Sequence, residues 1–201
     1  MKIIKPSVEL LWITPNAEKM IERAGKVCYK SEDSITDDSA KLFVQKILER
    51  GHEAVIEHAS ASLLFICDRG VTHELVRHRL VSYCQESTRY CNYGKDKFGK
   101  EITVIEPPGL NDLTRSFWKQ SVEETETQYM NLIDSGVSPQ IARSVLPNCL
   151  KTEIIVTANF REWRHILKLR TSPAAHPQIR EVMEITKKIL QEQCPNLFGG
   201  L

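Results

Sequence analysis

The chain lacks most of what marks the common nucleotide-binding and secreted architectures. Its 201 residues contain no G-x-G-x-x-G string and no Walker sequence, so the glycine-rich strand-to-helix turns of doubly wound folds are missing. The six cysteines (Cys28, Cys67, Cys84, Cys91, Cys149 and Cys194) form no C-x-x-C pair and no zinc-ribbon spacing. That scatter predicts reduced, mostly buried thiols rather than a disulfide framework. None sits in an activating sequence, so no cysteine nucleophile is expected. An excess of one charge is also missing, since 27 Lys and Arg stand against 26 Asp and Glu. A dedicated nucleic-acid binder normally carries a basic excess, so no nucleic-acid partner is expected and anion recognition should be local. No apolar run is long enough to span a bilayer, and the first residues hold no signal-peptide h-region. No membrane partner and a cytoplasmic location are therefore expected.

The pattern of helix and strand signals is mixed. Residues 8–14 read as a strand, and Thr14 with Pro15 supplies a cap and a first helical position for a helix whose apolar positions are Met20, Ile21, Ala24 and Val27. Thr36 is expected to cap a second helix with the stripe Leu42, Phe43, Ile47 and Leu48, stopped at Gly51. Residues 60–67 read as a strand, 68–70 as a turn and 71–80 as a short helix. The polar stretch 90–100, with Gly94 and Gly99, reads as a mobile loop. A strand at 102–105 and a long helix over 111–135 follow, the helix burying Leu113, Phe117, Tyr129, Leu132 and Ile133. Gly136 ends it, and Ser138-Pro139 opens a short helix closed by Pro147. A β-branched strand at 153–158 leads to Asn159, which caps a helix ending at Arg170. Pro177 opens the last helix, with Ile179, Val182, Met183, Ile189 and Leu190 inward. There is no internal repeat, linker or regular βα alternation. These signals predict a single α+β domain over residues 1–201, with a mixed or antiparallel sheet packed with several helices.

The densest chemistry lies in residues 77–90, Arg-His-Arg-Leu-Val-Ser-Tyr-Cys-Gln-Glu-Ser-Thr-Arg-Tyr. Three arginines, a histidine, two serines and two tyrosines accompany only two large aliphatics. Arginine recognises phosphate and carboxylate bidentately and stacks on flat rings, and serine hydroxyls complete such anion sites. The stretch reads as a pocket wall for an anionic ligand with a flat ring; the plainer reading is an Arg-rich helix end on a carboxylate patch. Other histidines suggest metal, but His73-Glu74-Leu75-Val76-Arg77 puts a guanidinium where H-E-x-x-H needs its second ligand. His52 and His58 do not fall four apart on one helical face. No metal is expected, and His58 and His73 read as hydrogen-bonded or capping residues. A metal-dependent hydrolase built on His52, His58, His73 and His78, and a non-catalytic binder of nucleotide or RNA, are the two rival readings.

The string Arg77-His78-Arg79, seven residues, then Ser87-Thr88-Arg89 resembles the signature of the flavin-dependent thymidylate synthases. Three further blocks are similar to that family in the same order: Gly51-His52-Glu53-Ala54-Val55-Ile56-Glu57-His58, Ala142-Arg143-Ser144-Val145-Leu146-Pro147, and residues 159–170, Asn-Phe-Arg-Glu-Trp-Arg-His-Ile-Leu-Lys-Leu-Arg. On a helix, the last block sets Arg161, Arg164, His165 and Lys168 on one face, with Trp163, Ile166 and Leu167 toward the core. The chain departs from the family pattern at Cys84, Glu74 and His165, while Gln85 keeps the hydrogen-bonding ability of the amide or carboxylate found there.

The resemblance implies reductive methylation of dUMP to dTMP, with 5,10-methylenetetrahydrofolate as one-carbon donor and NADPH as reductant through FAD, and without a cysteine nucleophile. It implies a homotetramer whose sites are shared between subunits. Ala54, Glu57, Arg77, His78, Arg79, Gln85, Asn159, Arg161 and His165 would contact FAD, and His52 would face the folate region. Glu74, Arg77, Gln85, Glu86, Ser87, Thr88, Arg89, Arg143 and Arg170 would contact dUMP. Arg170 would also be catalytic, favouring ionisation of the uracil at N3 and so activating C5, because a fixed cation lowers the cost of a developing ring anion.

Overall fold

Residues 1–201 are described in a computed structural model. In chain order the elements are strands β1 (Lys2–Ile4) and β2 (Ser7–Ile13), helices α1 (Ala17–Val27) and α2 (Ser39–Glu49), strand β3 (Ser60–Asp68) and helix α3 (Arg69–Leu75). Strands β4 (Val81–Gln85) and β5 (Thr103–Ile105) precede helices α4 (Asp112–Asp134) and α5 (Pro139–Ala142). Strand β6 (Lys151–Asn159) and helices α6 (Phe160–Arg170), α7 (Pro177–Gln193) and α8 (Pro195–Phe198) complete the chain. Short 3-10 segments lie at Glu32–Ser34, Glu53–His58, Asp96–Phe98 and Arg143–Val145. A four-stranded antiparallel sheet has the order β2-β3-β6-β4, and β1 pairs in parallel with β5. This is the expected α+β class. No helix is long and apolar enough to cross a membrane.

The local chemistry explains where the elements start. Asn111 accepts from the Thr114 amide at 2.9 Å while the Thr114 hydroxyl accepts from the Asn111 amide at 3.0 Å. This reciprocal box satisfies two of the orphan donors that open α4. Asn159 ends β6 with extended backbone, and its side-chain oxygen accepts from the Glu162 amide at 2.9 Å to open α6. Strand β6 alternates strictly over Thr152, Ile154, Val156 and Ala158, all buried, against exposed Glu153 and Ile155, as a pleated strand with one core face requires.

The chain divides into two compact units. The first comprises Met1–Ser7, Ile66–Leu75 and Cys84–Ile154. Its core gathers Tyr93, Ile102, Val104, Val122, Tyr129, Ala142 and Leu150, with Trp118, Leu132 and Ile133 packed against it. The second comprises Val8–Phe65, Val76–Tyr83 and Ile155–Leu201. Its largest fully buried side chain is Trp163, whose indole N–H donates to the Ala61 carbonyl at 3.0 Å and whose ring stacks on Phe65 at 6.3 Å. Phe160 meets Phe198 of α8 edge-on at 5.2 Å. Helices α1 and α2 approach closely at Gly25, where a Cβ would lie 2.2 Å from the Phe43 ring.

Several expected boundaries move. Helix α1 starts at Ala17 with Asn16 as a left-handed cap, φ 49°. Thr14 serves the sheet instead, its hydroxyl accepting from the Ser60 amide at 2.9 Å beside β3. Helix α2 starts at Ser39, because the Ser39 hydroxyl takes the Thr36 amide at 2.9 Å and donates to Glu22 at 2.8 Å. The expected turn at 68–70 is already helix: Asp68 Oδ1 accepts from the Val71 amide at 2.9 Å and switches β3 directly into α3. That helix stops at Leu75, and residues 81–85 form β4, a strand the polar content of the motif conceals. Strand β1 and helix α8 are likewise short elements without strong periodicity.

Leu113 and Phe117 are 64% and 61% exposed, since the core reaches α4 only from Trp118 onward. Ile189 is only half-buried. In the 90–100 stretch Tyr93 is an anchor, 5% exposed, its amide donating to Tyr129 Oη at 3.3 Å. All six thiols are free; Cys67 and Cys194 are buried, Cys28 and Cys84 exposed. Replacing Trp163 by Ala should remove about 3–5 kcal/mol of stability, the range for deleting a large buried aromatic; urea unfolding with unchanged m-value checks it.

Candidate functional site

In the second unit, α6 carries its cations along one side of a cleft of about 820 Å³, lined by Glu53, Glu57, Asn159, Arg161, Glu162, Arg164, His165 and Lys168 among others. The helical repeat places Arg161, Arg164, His165 and Lys168 together there while Trp163, Ile166 and Leu167 are buried, as the sequence predicts. Arg161 NH1 binds Glu57 Oε1 at 2.6 Å, and its Nε lies 3.5 Å from Glu53 Oε2. Arg164 donates to the Leu197 carbonyl. Its Nε is buried without a partner, and burial pulls its pKa below the usual guanidinium value. An unsatisfied buried N–H in a cationic cleft is what an anionic ligand would complete, so the residues present fit a phosphate-bearing cofactor.

At the end of α6, His78 stands at the centre of a chain of contacts. Arg170 Nε donates to His78 Nε2 at 3.1 Å, and His78 Nδ1 lies 3.5 Å from Glu162 Oε1. Because Nε2 accepts, the imidazole proton belongs on Nδ1, facing the carboxylate. His165 meets the His78 ring edge-on at 5.8 Å, and Tyr83 Oη donates to the His78 carbonyl at 2.9 Å. Burial, then the Arg170 cation and His165, push the His78 pKa down to about 4. Burial, followed by Glu162, pushes the Tyr83 phenol up to about 12. His78, Glu162 and His165 each offer a ligand atom within 4.8 Å of the others. A metal ion there would stand against the Arg170 guanidinium, which already occupies His78 Nε2.

The first unit holds the other half of the central motif. Gln85 at the end of β4 donates through Nε2 to the Thr72 hydroxyl at 3.0 Å and the Thr152 hydroxyl at 3.2 Å. The Ser87 carbonyl accepts the Tyr90 amide at 3.1 Å and the Cys91 amide at 3.0 Å, closing a tight turn. Within it the Arg89 amide donates to Ser87 Oγ at 3.3 Å, and the Arg89 guanidinium lies over the Tyr90 ring at 5.5 Å. Arg143, from the 3-10 segment after α5, donates to the buried Thr88 hydroxyl at 3.3 Å. Arg89 and Arg143 are exposed, so two guanidinium groups and a serine hydroxyl border one turn, a suitable set for a phosphate. The Glu86 carboxylate is engaged by Tyr93 Oη at 3.0 Å and Lys151 Nζ at 3.1 Å.

The candidate residues therefore sort by unit. Ala54, Glu57, His78, Arg79, Asn159, Arg161 and His165 belong to the second, with Arg77 and Arg170; Glu74, Gln85, Glu86, Ser87, Thr88, Arg89 and Arg143 belong to the first. Glu57, Asn159, Arg161 and His165 share the α6 cleft. His52 and Ala54 line another cleft of about 640 Å³, with Lys26, Tyr29, Phe43 and Arg50. Arg77 and Arg79 are exposed in the turn after α3, and Glu74 is half-buried on it. Sequence reasoning missed Glu162, Tyr93 and Lys151. Glu162 was in view as the residue after Arg161, but only the fold aims it at His78, 84 positions earlier in the chain.

The family model described as thymidylate synthase complementing protein matches residues 9–196. The chain belongs to the flavin-dependent thymidylate synthase family. It is 33% identical to the flavin-dependent thymidylate synthase of Corynebacterium efficiens, over 96% of this chain and 84% of that protein. The Geobacter sulfurreducens enzyme of the same name is 32% identical over 95% of this chain and 84% of its own length. The Pyrococcus furiosus one is 35% identical over 81% and 67%. Among solved structures, a UMP/dUMP methylase from Streptomyces cacaoi bound with 5-Br dUMP superposes with a TM-score of 0.85, covering 99% of this chain and 96% of that one at 23% identity. That likeness shows a shared fold.

His78 should stay neutral from pH 8 down to about pH 5 and protonate only near pH 4, seen as a late-titrating imidazole in NMR. The unfolded state binds the proton first, near the ordinary histidine value of about 6.5. Stability should thus fall as pH drops between those two values. A His78 resonance titrating near the ordinary value would contradict the Arg170 hydrogen bond.

Proposed function

We propose that this synthase-family chain converts dUMP to dTMP, taking the one-carbon unit from 5,10-methylenetetrahydrofolate and reducing equivalents from NADPH through FAD. The observation that carries the reading is the Arg170 guanidinium held by a neutral, buried His78 beside the cationic α6 cleft. Asn159, Arg161, Arg164, His165 and Lys168 are the residues that would hold FAD, with Glu57, Ala54, Arg77, His78, Arg79 and Gln85. FAD held there supplies the reducing equivalents that turn the transferred carbon into a methyl group. His52 belongs to the folate side.

Arg89, Arg143 and Ser87, with Thr88, would hold the dUMP phosphate, and Glu74 and Gln85 complete the nucleotide set; Glu86, expected there too, has its carboxylate taken by Tyr93 and Lys151 and would support the turn instead. Arg170 would lie against the uracil and stabilise negative charge as N3 ionises, which raises the nucleophilicity of C5. His78 accepts one guanidinium N–H and fixes the plane of the others. Burial raises the thiol pKa of Cys67 and Cys194 to about 12 and lifts Cys91 and Cys149 in the same direction. None of these four supplies a thiolate near neutrality, which supports chemistry without a cysteine nucleophile. The reading extends to one synthase domain over residues 1–201, working in the cytoplasm as a homotetramer that shares its sites.

The test is a visible spectrum of the protein incubated with FAD, desalted, and treated anaerobically with NADPH with and without dUMP. A retained flavin band that bleaches faster with dUMP is expected, and no retained flavin with FAD and dUMP in excess would overturn the proposal. Arg170→Ala should abolish dTMP formation while circular dichroism and assembly size stay unchanged. Wild-type turnover in that variant would remove Arg170 from the mechanism.

A further inference from the structure

Glu86 poses a problem within the nucleotide motif. It lies immediately before Ser87, at the turn that carries Thr88 and Arg89, where a carboxylate would repel a phosphate. The structure resolves the conflict by engaging that carboxylate from two sides. Tyr93 Oη donates to Oε1 at 3.0 Å and Lys151 Nζ lies 3.1 Å from Oε2. Lys151 also binds Glu153 Oε1 at 2.5 Å. The backbone of Glu86 is fixed as well: its amide donates to the Glu153 carbonyl at 2.8 Å and its carbonyl accepts from Arg69 NH1 at 3.4 Å.

Tyr93 is itself anchored. Its ring lies 5.9 Å from Tyr129 and 5.3 Å from Phe98, and the residue is 5% exposed. The Cys91 thiol is hydrogen-bonded to Glu86 as well. The other charged groups around this side are Arg69, which reaches the Glu86 carbonyl, and Lys2, Lys97, Glu101 and Glu153, which with Cys91 border a cavity of about 550 Å³. Among the charged groups here, Lys151 is the one that pairs with the Glu86 carboxylate. The side chains of Glu86 and Lys151 are only 15% and 19% exposed, so removing either partner would leave a shielded charge unmatched.

We infer that Lys151 and Tyr93 are positioning residues for the nucleotide phosphate: they neutralise and orient Glu86, and through it hold the 87–91 turn in the shape that aligns Ser87 Oγ and Arg89. The inference rests on the dUMP reading proposed above and adds to it two residues that never touch the nucleotide. Burial opposes the charge on Lys151, but its bonds to Glu153 and Glu86 outweigh that and raise its pKa. The Tyr93 phenol is pushed up by burial and by Glu86. Both therefore stay proton donors across the working pH range.

The experiment measures dUMP binding by equilibrium dialysis, along with KM, kcat, FAD content and Tm, for the wild type, Lys151→Met, Lys151→Arg and Tyr93→Phe. Loosening the turn should weaken dUMP about tenfold in Lys151→Met, in KM and Kd alike, with kcat at saturating dUMP within about twofold and FAD content unchanged. Lys151→Arg, which keeps the charge, should recover most of that loss. Tyr93→Phe deletes one oxygen and should weaken dUMP by about threefold; it decides the matter if Lys151→Met does not fold. Wild-type dUMP affinity in the folded variants, with only Tm lowered, overturns the inference and leaves the function standing. A wild type that binds no dUMP overturns both.

Discussion

The candidate chemistry depends on one hydrogen bond, from the Arg170 guanidinium into the lone pair of His78. That bond exists only while His78 is neutral, and His78 is neutral because it is buried among a guanidinium and another imidazole. Glu162 does not reverse this. At 3.5 Å it orients the Nδ1 proton more than it charges the ring. Glu162 is in turn set by the Asn159 cap, which accepts the Glu162 amide and fixes the first turn of α6. A helix start thus helps determine, through one carboxylate and one imidazole, where the Arg170 guanidinium points.

The two units solve different electrostatic problems. The second collects cations on a helix face and leaves Arg164 Nε without an internal partner. The first has exposed arginines at a turn and must keep a motif carboxylate out of their way. Lys151 and Tyr93 do that by taking Glu86 into the strand side. Arg164 Nε apart, the contacts described for each half lie inside its own unit, so much of each is preorganised, the condition under which electrostatic stabilisation is most effective.

Much of this was legible in the sequence. Asn159 announced its helix by cap chemistry, and β-branched residues announced β6, because these signals act over a few residues. The α6 basic face followed from a 3.6-residue period. Strand β4 was hidden because its residues Val81, Ser82, Tyr83, Cys84 and Gln85 read as motif chemistry; its strand character comes from pairing within the sheet. Leu113 and Phe117 had the right spacing for burial, but spacing does not tell where the core ends. Thr14 and Thr36 were competent caps, but Thr14 is drawn to Ser60, and Ser39, tied to Glu22, sets the start of α2; no local window contains those partners. The same holds for the site: residue types at Arg143 and Thr88 were visible, while their contact spans 55 positions.

The Asn159 cap has a directional consequence. An asparagine amide has one accepting end and one donating end, and the oxygen is already committed to the Glu162 amide. With that oxygen engaged by the backbone, the NH₂ group is the part of the side chain with hydrogen-bonding capacity to spare as a donor to the α6 cleft, which Asn159 lines. Aspartate would cap the helix as well and still spoil the cleft, because its second oxygen would confront an acceptor-rich ligand with another acceptor. At this position the cleft is more selective than the helix start.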